Sequence, residues 1–563
     1  MATVIDSDQK DPSDIADAAD SPITSEETPS LSAPAHDGMQ TFRKYTVIFA
    51  LFLSLFVAAL DATIVATAAP TISNELASSA GYTWIGGAFL LTSVTTSPIW
   101  VKLSDIWGRK VILVVLLAWL FVSSTICATA KNIEALLAGR ALQGAASGGL
   151  ILLVHTLRVS RNFICTKAYG LGQHRKRSLL LGLTEGVWAI AGGIGPVLGG
   201  VFSSLSTWRW CFWINLPISA VAAVIIIYLL DIKHEHTSFK DGVRALDWAG
   251  MFTFLGCSVL LLLGLDFGGK IFPWNSATVI ALLAVGGILV FAFIYSEVKI
   301  AKYPLMPMDI FAKGVNVAIL LLTLGHALAF MSAEYYLPVL FQSSFEAGPL
   351  KSGLLLLPFI ITTAISGIAC GVFIHRTGRF QEIIWVGALC LCLGFGLFVS
   401  FNINTTISQI IGYQIIGGMG SGFLFETTII AIQSQVSQED MATATSTLCF
   451  IRNVGITLSV IIGGSFFQSS MDKQIASLNA VGLPQELVIK YSGSNVLATI
   501  LSIRDIQDQT WRIAIENAVL LAMRNVWILF TAVAFVGFVA SLFVRQGHLT
   551  TEHTVTGTGL KKP

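Results

Sequence analysis

KLSDIWGRK occupies residues 102–110, and GVFIHRTGRF occupies residues 371–380. Each stretch joins two long apolar runs. Aligning Gly108 with Gly378 sets Arg109 opposite Arg379, Asp105 opposite His375 and Leu103 opposite Phe373, 270 positions apart. Two further matches follow in the same order. GRALQGAASGG (139–149) pairs with GYQIIGGMGSGF (412–423), with Gly139 on Gly412 and Gly144 on Gly417. Gly199-Gly200 then pairs with Gly463-Gly464. One such match is within chance for small apolar residues. Three in one order mark two related halves that run in parallel.

The composition places both halves in a bilayer. The chain has 563 residues, 54% hydrophobic and 12% charged, with a mean hydropathy of +0.74. A soluble chain carries about 25% charged residues. Apolar runs near the roughly 20 residues that span a membrane as helix lie at 45–68, 83–101, 111–130, 135–157, 179–203, 210–231, 248–267, 276–296, 315–340, 353–375, 382–401, 407–432, 445–467 and 526–544. All fourteen are read as helices, because lipid-exposed backbone must satisfy its hydrogen bonds internally. Spans 1–6 and 9–14 form the halves, and spans 7 and 8 are inserted between them. The expected fold is therefore an all-α polytopic membrane protein of two six-helix bundles plus two inserted helices. Repeats of this kind build a substrate site where two bundles meet.

The expected segments are a tail at 1–42, a first bundle at 43–231 and a linker with the inserted pair at 232–302. A second bundle at 303–545 and a tail at 546–563 follow. The first tail is acidic and rich in Ser, Pro, Asp and Ala, a composition that cannot bury enough apolar area to fold. No secretory signal is read at the amino terminus. With that terminus cytoplasmic, inner loops carry Lys102, Arg109, Lys110, Arg158, Arg161, Lys167, Arg175, Lys176, Arg177, Lys233, Lys240, Arg244, Lys299, Lys302, Lys313, Arg376 and Arg379. Short outer loops carry only Lys131, Arg209, Lys270 and Lys351. That bias puts both termini inside. The segment 468–525 is read as a long extracytoplasmic loop holding short amphipathic helices at LPQELVIKY and LATILSI.

The eight cysteines have no zinc-like spacing and read as core fillers. No His/Asp/Cys cluster or phosphate-binding glycine loop appears, which argues against an enzyme, a metal site, a cofactor or ATP-driven transport. Nothing in the charge pattern suggests nucleic acid. The expected partners are a small-molecule substrate, protons and the lipid bilayer, and the chain is expected to be a monomer.

KLSDIWGRK resembles the loop signature of the major facilitator superfamily. LLAGRALQGAASGG resembles its span 4 motif, and GVWAIAGGIGPVLGG (186–200) its span 5 antiporter motif. LDATIVATAAPTI (60–72) and WRWCFWINLPI (208–218) are similar to its fourteen-span drug:proton antiporters, above all fungal toxin and drug efflux pumps. The resemblance covers about residues 45–545. It implies a proton-coupled exporter of small amphipathic or lipophilic compounds in the plasma membrane, or alternatively the vacuolar membrane. Siderophore or basic amino acid transport within the same superfamily is the alternative, and a non-transporting membrane sensor a second.

Each motif has a physical reading. Gly108 can take a left-handed conformation that ends span 2. The resemblance implies that Asp105, Gly108, Arg109 and Lys110, with His375, Arg376, Gly378 and Arg379 in the mirror loop, form a cytoplasmic gate. A plain positive-inside anchor is the alternative. The family usually has Gly where Val101 stands, which questions the helix packing there. In span 5, Gly186, Gly192, Gly193, Gly195, Gly199 and Gly200 offer a backbone surface for close helix approach, and Pro196 removes a helical hydrogen bond. The resemblance reads this as an exporter's stiff bend; ordinary close packing is the other reading.

Ionisable groups inside the spans are expensive and need a partner, water or a proton. Asp61, Glu185, Glu334 and Glu426 are the carboxylates, with His326 beside them. Asp61 lies roughly 24 Å along span 1, in its outer third, where water could reach it. Ala58, Ala62 and Ala66 form a stripe of small residues next to it. Proton or cation handling and a structural pair are both open for Asp61. Arg140, in span 4, is linked with proton movement by the resemblance, or is a structural ion pair; Arg452 in FIRNVG raises the same question. By the resemblance, Glu185 and Glu426 occupy cavity-lining spans, and Glu334 is expected near the outer mouth. Trp188, Phe330, Tyr335, Tyr336 and Phe425 could wall a lipophilic site. Residues 158–177 are either an extended basic loop or a gene-model error.

Overall fold

The computed structural model describes residues 35–76, 81–159, 174–230, 247–268, 272–301, 306, 308–345, 347–437, 441–491, 502–503 and 506–547. The tail expected at 1–42 lies outside these up to residue 34, as do most of the 158–177 loop, residues 548–563 and nearly all of LATILSI. Fourteen helices among the described residues are long and apolar enough to cross a membrane, in the order of the fourteen runs. They are α1 (Ala35–Thr63), α2 (Gly81–Trp107), α3 (Arg109–Thr129), α4 (Ile133–Val159), α5 (His174–Leu205), α6 (Asn215–Leu229) and α7 (Trp248–Phe267). The series continues with α8 (Ala277–Tyr295), α9 (Gly314–Ser344), α10 (Pro349–Thr377), α11 (Gln381–Phe398), α12 (Ile407–Ser434), α13 (Met441–Asp472) and α14 (Gln509–Ser541).

Several helices begin where the sequence supplies a cap. Asp247 accepts from the Gly250 amide, and Ser276 accepts from Val279. Thr406 and Gln409 bond reciprocally in a capping box. Asp508 accepts from the amides of Thr510 and Trp511 and starts α14 well before 526. The segment read as an outer loop is shorter by that much. Arg512, Glu516 and Arg524 interrupt the apolar run there, yet Glu516 is buried and pairs with Arg512 at 3.7 Å, one turn away. The short helix Gln485–Lys490 forms as expected from LPQELVIKY. At the other end, α1 starts at Ala35, inside the stretch read as an unstructured tail, because adding residues to an existing helix costs little. Span 1 is also not continuous: α1 stops at Thr63, Ile64 is a turn, and a second helix runs from Val65 to Glu75.

The residues from Lys44 onward form one compact unit. Within it the helix packing repeats. α2 lies on α4 as α10 lies on α12; α3 lies on α4 and α6 as α11 lies on α12 and α14. The halves meet reciprocally, α5 on α10 and α13 on α2. The inserted α7 packs with α8 and reaches both α2 and α13, with Phe254 against Phe450 at 4.8 Å.

Glycines set the register of the repeat. A Cβ on Gly144 would lie 2.1 Å from the Phe89 carbonyl oxygen, and one on Gly148 2.3 Å from that of Ser93. In the second half a Cβ on Gly418 would lie 2.6 Å from the Phe359 oxygen, and one on Gly422 2.1 Å from that of Thr363. Phe89 and Phe359, like Ser93 and Thr363, are 270 positions apart. Gly144 therefore corresponds to Gly418, not to Gly417. Gly412 faces open space, whereas a Cβ on Gly139 would strike Cys127. The alignment of spans 4 and 12 shifts by one residue, an error invited by runs of adjacent glycines. Val101, where the resemblance leads one to expect glycine, is buried in the first half's core in one cluster with Leu113 and Leu116.

Candidate functional site

The first half holds a closed polar cluster. Asp61 is 0% exposed, and its Oδ1 accepts from Asn215 Nδ2 at 2.8 Å and Gln143 Nε2 at 3.2 Å, with Arg140 Nη1 at 3.3 Å. Arg140 also donates to the Gln143 Oε1 at 3.0 Å and, through Nε, to the Ile85 carbonyl at 3.0 Å. Its guanidinium lies 4.3 Å from the centre of the Phe89 ring. Ser124 accepts from Gln143 at 2.9 Å and from Asn215 at 3.4 Å. Side chains of α1, α3, α4 and α6 and one carbonyl of α2 thus meet around one carboxylate. Asp61 Oδ2 has no hydrogen-bond partner among the described residues.

This placement corrects the expectation that water reaches Asp61 in the outer third of its span. Helix length gave its depth but not its facing: the side chain turns into the bundle, and its neighbour Ala62 lines the cavity described below. Ala62 is therefore not part of a close-packing stripe. Gln143 and Asn215 had no role assigned from sequence, although both stand in motifs quoted above. An uncharged amide within a span is itself a signal, because it too must find a partner there.

Between the halves lies a cavity of about 1020 Å³, open mouth included. Residues of α1, α2, α4 and α5 face residues of α9, α10, α12 and α13 across it. Among the described residues its aromatic side chains are Phe89, Trp188, Phe330 and Phe425, and its charged ones are Glu334 and Arg452. Phe330 and Phe425 meet edge to face at 4.9 Å. Tyr335 and Tyr336 are not among the lining residues; Tyr336 donates to the Val460 carbonyl at 2.8 Å within the second half. Phe89 is an aromatic wall residue that sequence reading missed.

The remaining intramembrane groups lie elsewhere. Glu426 is fully buried, does not line the cavity, and accepts from Thr184 Oγ1 of α5 at 3.4 Å. One residue's turn of α12 separates it from Phe425, which does line it. His326 is buried behind that ring, 4.7 Å from it edge-on, with Nε2 3.0 Å from Ser421 Oγ. The side chains of Glu185 and Asp105 lie outside the described residues.

The span 5 motif faces two ways. A Cβ on Gly195 or Gly199 would strike Thr63 or the Ile64 carbonyl at the break in span 1. Thr63 donates to the Ala191 carbonyl at 3.1 Å and Thr67 to that of Pro196 at 2.9 Å, so the proline is held from both sides. Gly186, Gly192 and Gly193 face α10 across the interface. Gly200 faces open space.

The two repeat loops are tied within their own halves. Gly108 has φ +92° and Gly378 has φ +73°, so each turn uses a conformation that favours glycine. Lys110 Nζ donates to the Ile227 carbonyl in the last turns of α6 at 2.8 Å. In the mirror loop, Gln381 Nε2 donates to the Val544 carbonyl at 2.9 Å, and Gln546 Nε2 to that of Gly378 at 3.0 Å. Arg109 is buried, Arg376 and Arg379 are exposed, and Arg379 approaches Glu382 at 3.8 Å. His375 is half-buried.

The family model for the Major Facilitator Superfamily matches residues 51–460. The chain belongs to the major facilitator superfamily. Similar proteins include the efflux pump dotC of Dothistroma septosporum strain NZE10, 38% identical over 94% of this chain and 88% of that protein. The MFS-type transporter ppz2 of Metarhizium majus is 39% identical over 91% and 87%. The efflux pump FUS6 of Gibberella fujikuroi is 30% identical over 98% of both. Among solved structures, that of the human organic anion transporter MFSD10 covers 85% of this chain and 99% of its own, with a TM-score of 0.52 at 16% identity, a likeness of fold alone. As a superfamily member with fourteen apolar helices, the chain is an integral membrane transporter of small molecules, and the cavity lies where its two six-helix bundles meet.

Proposed function

We propose that this transporter exports small amphipathic compounds, of the toxin or secondary-metabolite kind, in exchange for protons. The observation that carries the reading is the cavity: among the described residues its lining holds four aromatic side chains and two charged ones, contributed by both halves. Such a lining binds flat lipophilic bodies and orients them by a few polar groups. The relatives named efflux pumps support the direction. The buried Asp61–Arg140 pair and the cavity carboxyl of Glu334 are the groups through which protons act in this proposal. Binding a proton at Asp61 removes the charge that Arg140 faces, which changes the relative stability of the inward-open and outward-open states. The loops at 102–110 and 371–380 form the cytoplasmic gate, both termini are cytoplasmic, and the plasma membrane is the site of export.

The apolar lining and the guanidinium in it disfavour a basic amino acid as substrate. A non-transporting sensor would not move solute at all. Purified protein in proteoliposomes with an imposed pH gradient, offered a panel of lipophilic compounds, tests the proposal. Gradient-dependent movement of at least one compound is expected. Movement unaffected by collapsing the gradient would refute proton coupling.

A further inference from the structure

Arg452 is almost buried, at 6% exposure, and lines the cavity from α13. Its Nη2 donates to the Phe425 carbonyl and to Thr428 Oγ1 at 3.2 Å. These bonds, with the Phe425 ring 5.0 Å away, hold the guanidinium in place. Nε has no partner, Nη1 makes no hydrogen bond, and no carboxylate lies within 4.0 Å of the group among the described residues. A guanidinium cannot lose its proton in a protein. Its charge in low-dielectric surroundings is costly until water or an anion meets it.

Among the described residues, no neighbouring titratable group forms an ion pair with Arg452 in this conformation. Glu426, on α12, is turned towards Thr184. His326, on α9, bonds Ser421. Glu334, also on α9, lies on the cavity wall without an ion pair to Arg452 among the described residues. Asn453 and Thr457 line the cavity beside Arg452 and offer hydrogen-bonding groups, and the Phe330–Phe425 pair lies next to it.

We infer that the cavity takes an aromatic compound carrying an acidic group, with the anion held by Arg452 and the ring by the aromatic wall. This rests on the reading of the cavity as the substrate site, and it names a substrate class for it. The anion meets the guanidinium at Nη1, which makes no hydrogen bond among the described residues, whereas the unpartnered Nε is closed off from the cavity.

The test is equilibrium binding to the purified full-length protein in detergent, with no gradient imposed. The probes are anthracene-9-carboxylate and its methyl ester, which share a ring system and differ in charge. The wild type is expected to bind the acid at least tenfold more tightly than the ester. Arg452→Gln should abolish that preference and leave ester affinity within about twofold, and Arg452→Lys should keep part of it. Equal binding of acid and ester by the wild type, binding of neither, or an undiminished preference in Arg452→Gln would overturn the inference. If Arg452→Gln does not fold, the wild-type comparison and Arg452→Lys decide. Because no gradient is involved, a preference for the acid in a protein that fails to export would sink the export reading and leave this one standing.

Discussion

Two arginines inside the membrane-spanning helices meet opposite circumstances. Arg140 is 1% exposed and faces a carboxylate, a glutamine and a carbonyl. Arg452 is 6% exposed and spends one nitrogen on a carbonyl and a hydroxyl. Among the described residues, the first charge has a carboxylate at ion-pair distance and the second has none. An internally neutralised charge holds helices together and responds to protonation of its partner. A charge left open to a cavity is available to whatever enters it. Two residues that look alike in the sequence thus differ in what each can do, and the difference lies wholly in what stands around them.

The largest effect should come from breaking the closed cluster. Arg140→Gln leaves Asp61 buried without its counter-charge, and a loss of about 3–5 kcal/mol of stability is expected. Adding Asp61→Asn should restore part of it. Thermal unfolding of purified protein measures both; equal stability of single and double variants would show that the pair is not coupled. Arg452→Gln should move stability far less, since no ion pair among the described residues is lost. A drop as large as that of Arg140→Gln would remove the contrast.

Asp61→Asn alone sharpens the comparison on the functional side. Neutralising the carboxylate should stop gradient-driven transport while leaving ligand binding at the cavity near wild type, because Asp61 does not line it. Undiminished transport per folded molecule would reduce the cluster to a structural role. Smaller effects are expected from its amides. Asn215→Leu removes a hydrogen bond to a charged group and should cost about 1.5–3 kcal/mol, read by the same unfolding measurement.

The halves can be compared in the same way through their glycines. Gly148→Ala and Gly422→Ala should each destabilise by about 1–3 kcal/mol, since the added carbon meets a backbone carbonyl. Gly200→Ala and Gly412→Ala meet open space and should be neutral or gain up to about 1 kcal/mol of helix propensity. If Gly417→Ala proved as costly as Gly422→Ala, the corrected register of spans 4 and 12 would lose its support. The smallest effect belongs to the loop ties: Lys110→Ala and Gln546→Ala should each cost only about 0.5–1.5 kcal/mol.

The membrane itself explains how much was legible. Lipid leaves a helix as the one economical conformation for a long apolar run, so length and hydropathy alone located fourteen spans in order. The exception was α14, where Arg512, Glu516 and Arg524 hide the start of a helix; Arg512 and Glu516 pair one turn apart, and Arg524 is exposed. The halves were visible because their two-fold packing requires small residues at matching places. Their exact register was not, because neighbouring glycines such as Gly417 and Gly418 are indistinguishable as letters and differ only in which backbone they touch.

The chemistry divides along the same line. That Asp61 and Arg140 each needed a partner followed from the cost of a charge in the membrane, a property of each residue by itself. That Asn215, 154 residues beyond Asp61, shares its oxygen with Gln143 and Arg140 was decided only by the tertiary structure. So was the outcome for Glu426, whose place next to Phe425 in the chain put it outside the cavity. A helix turns about 100° per residue, so adjacent letters face different neighbours, and which faces meet is settled by how whole helices pack.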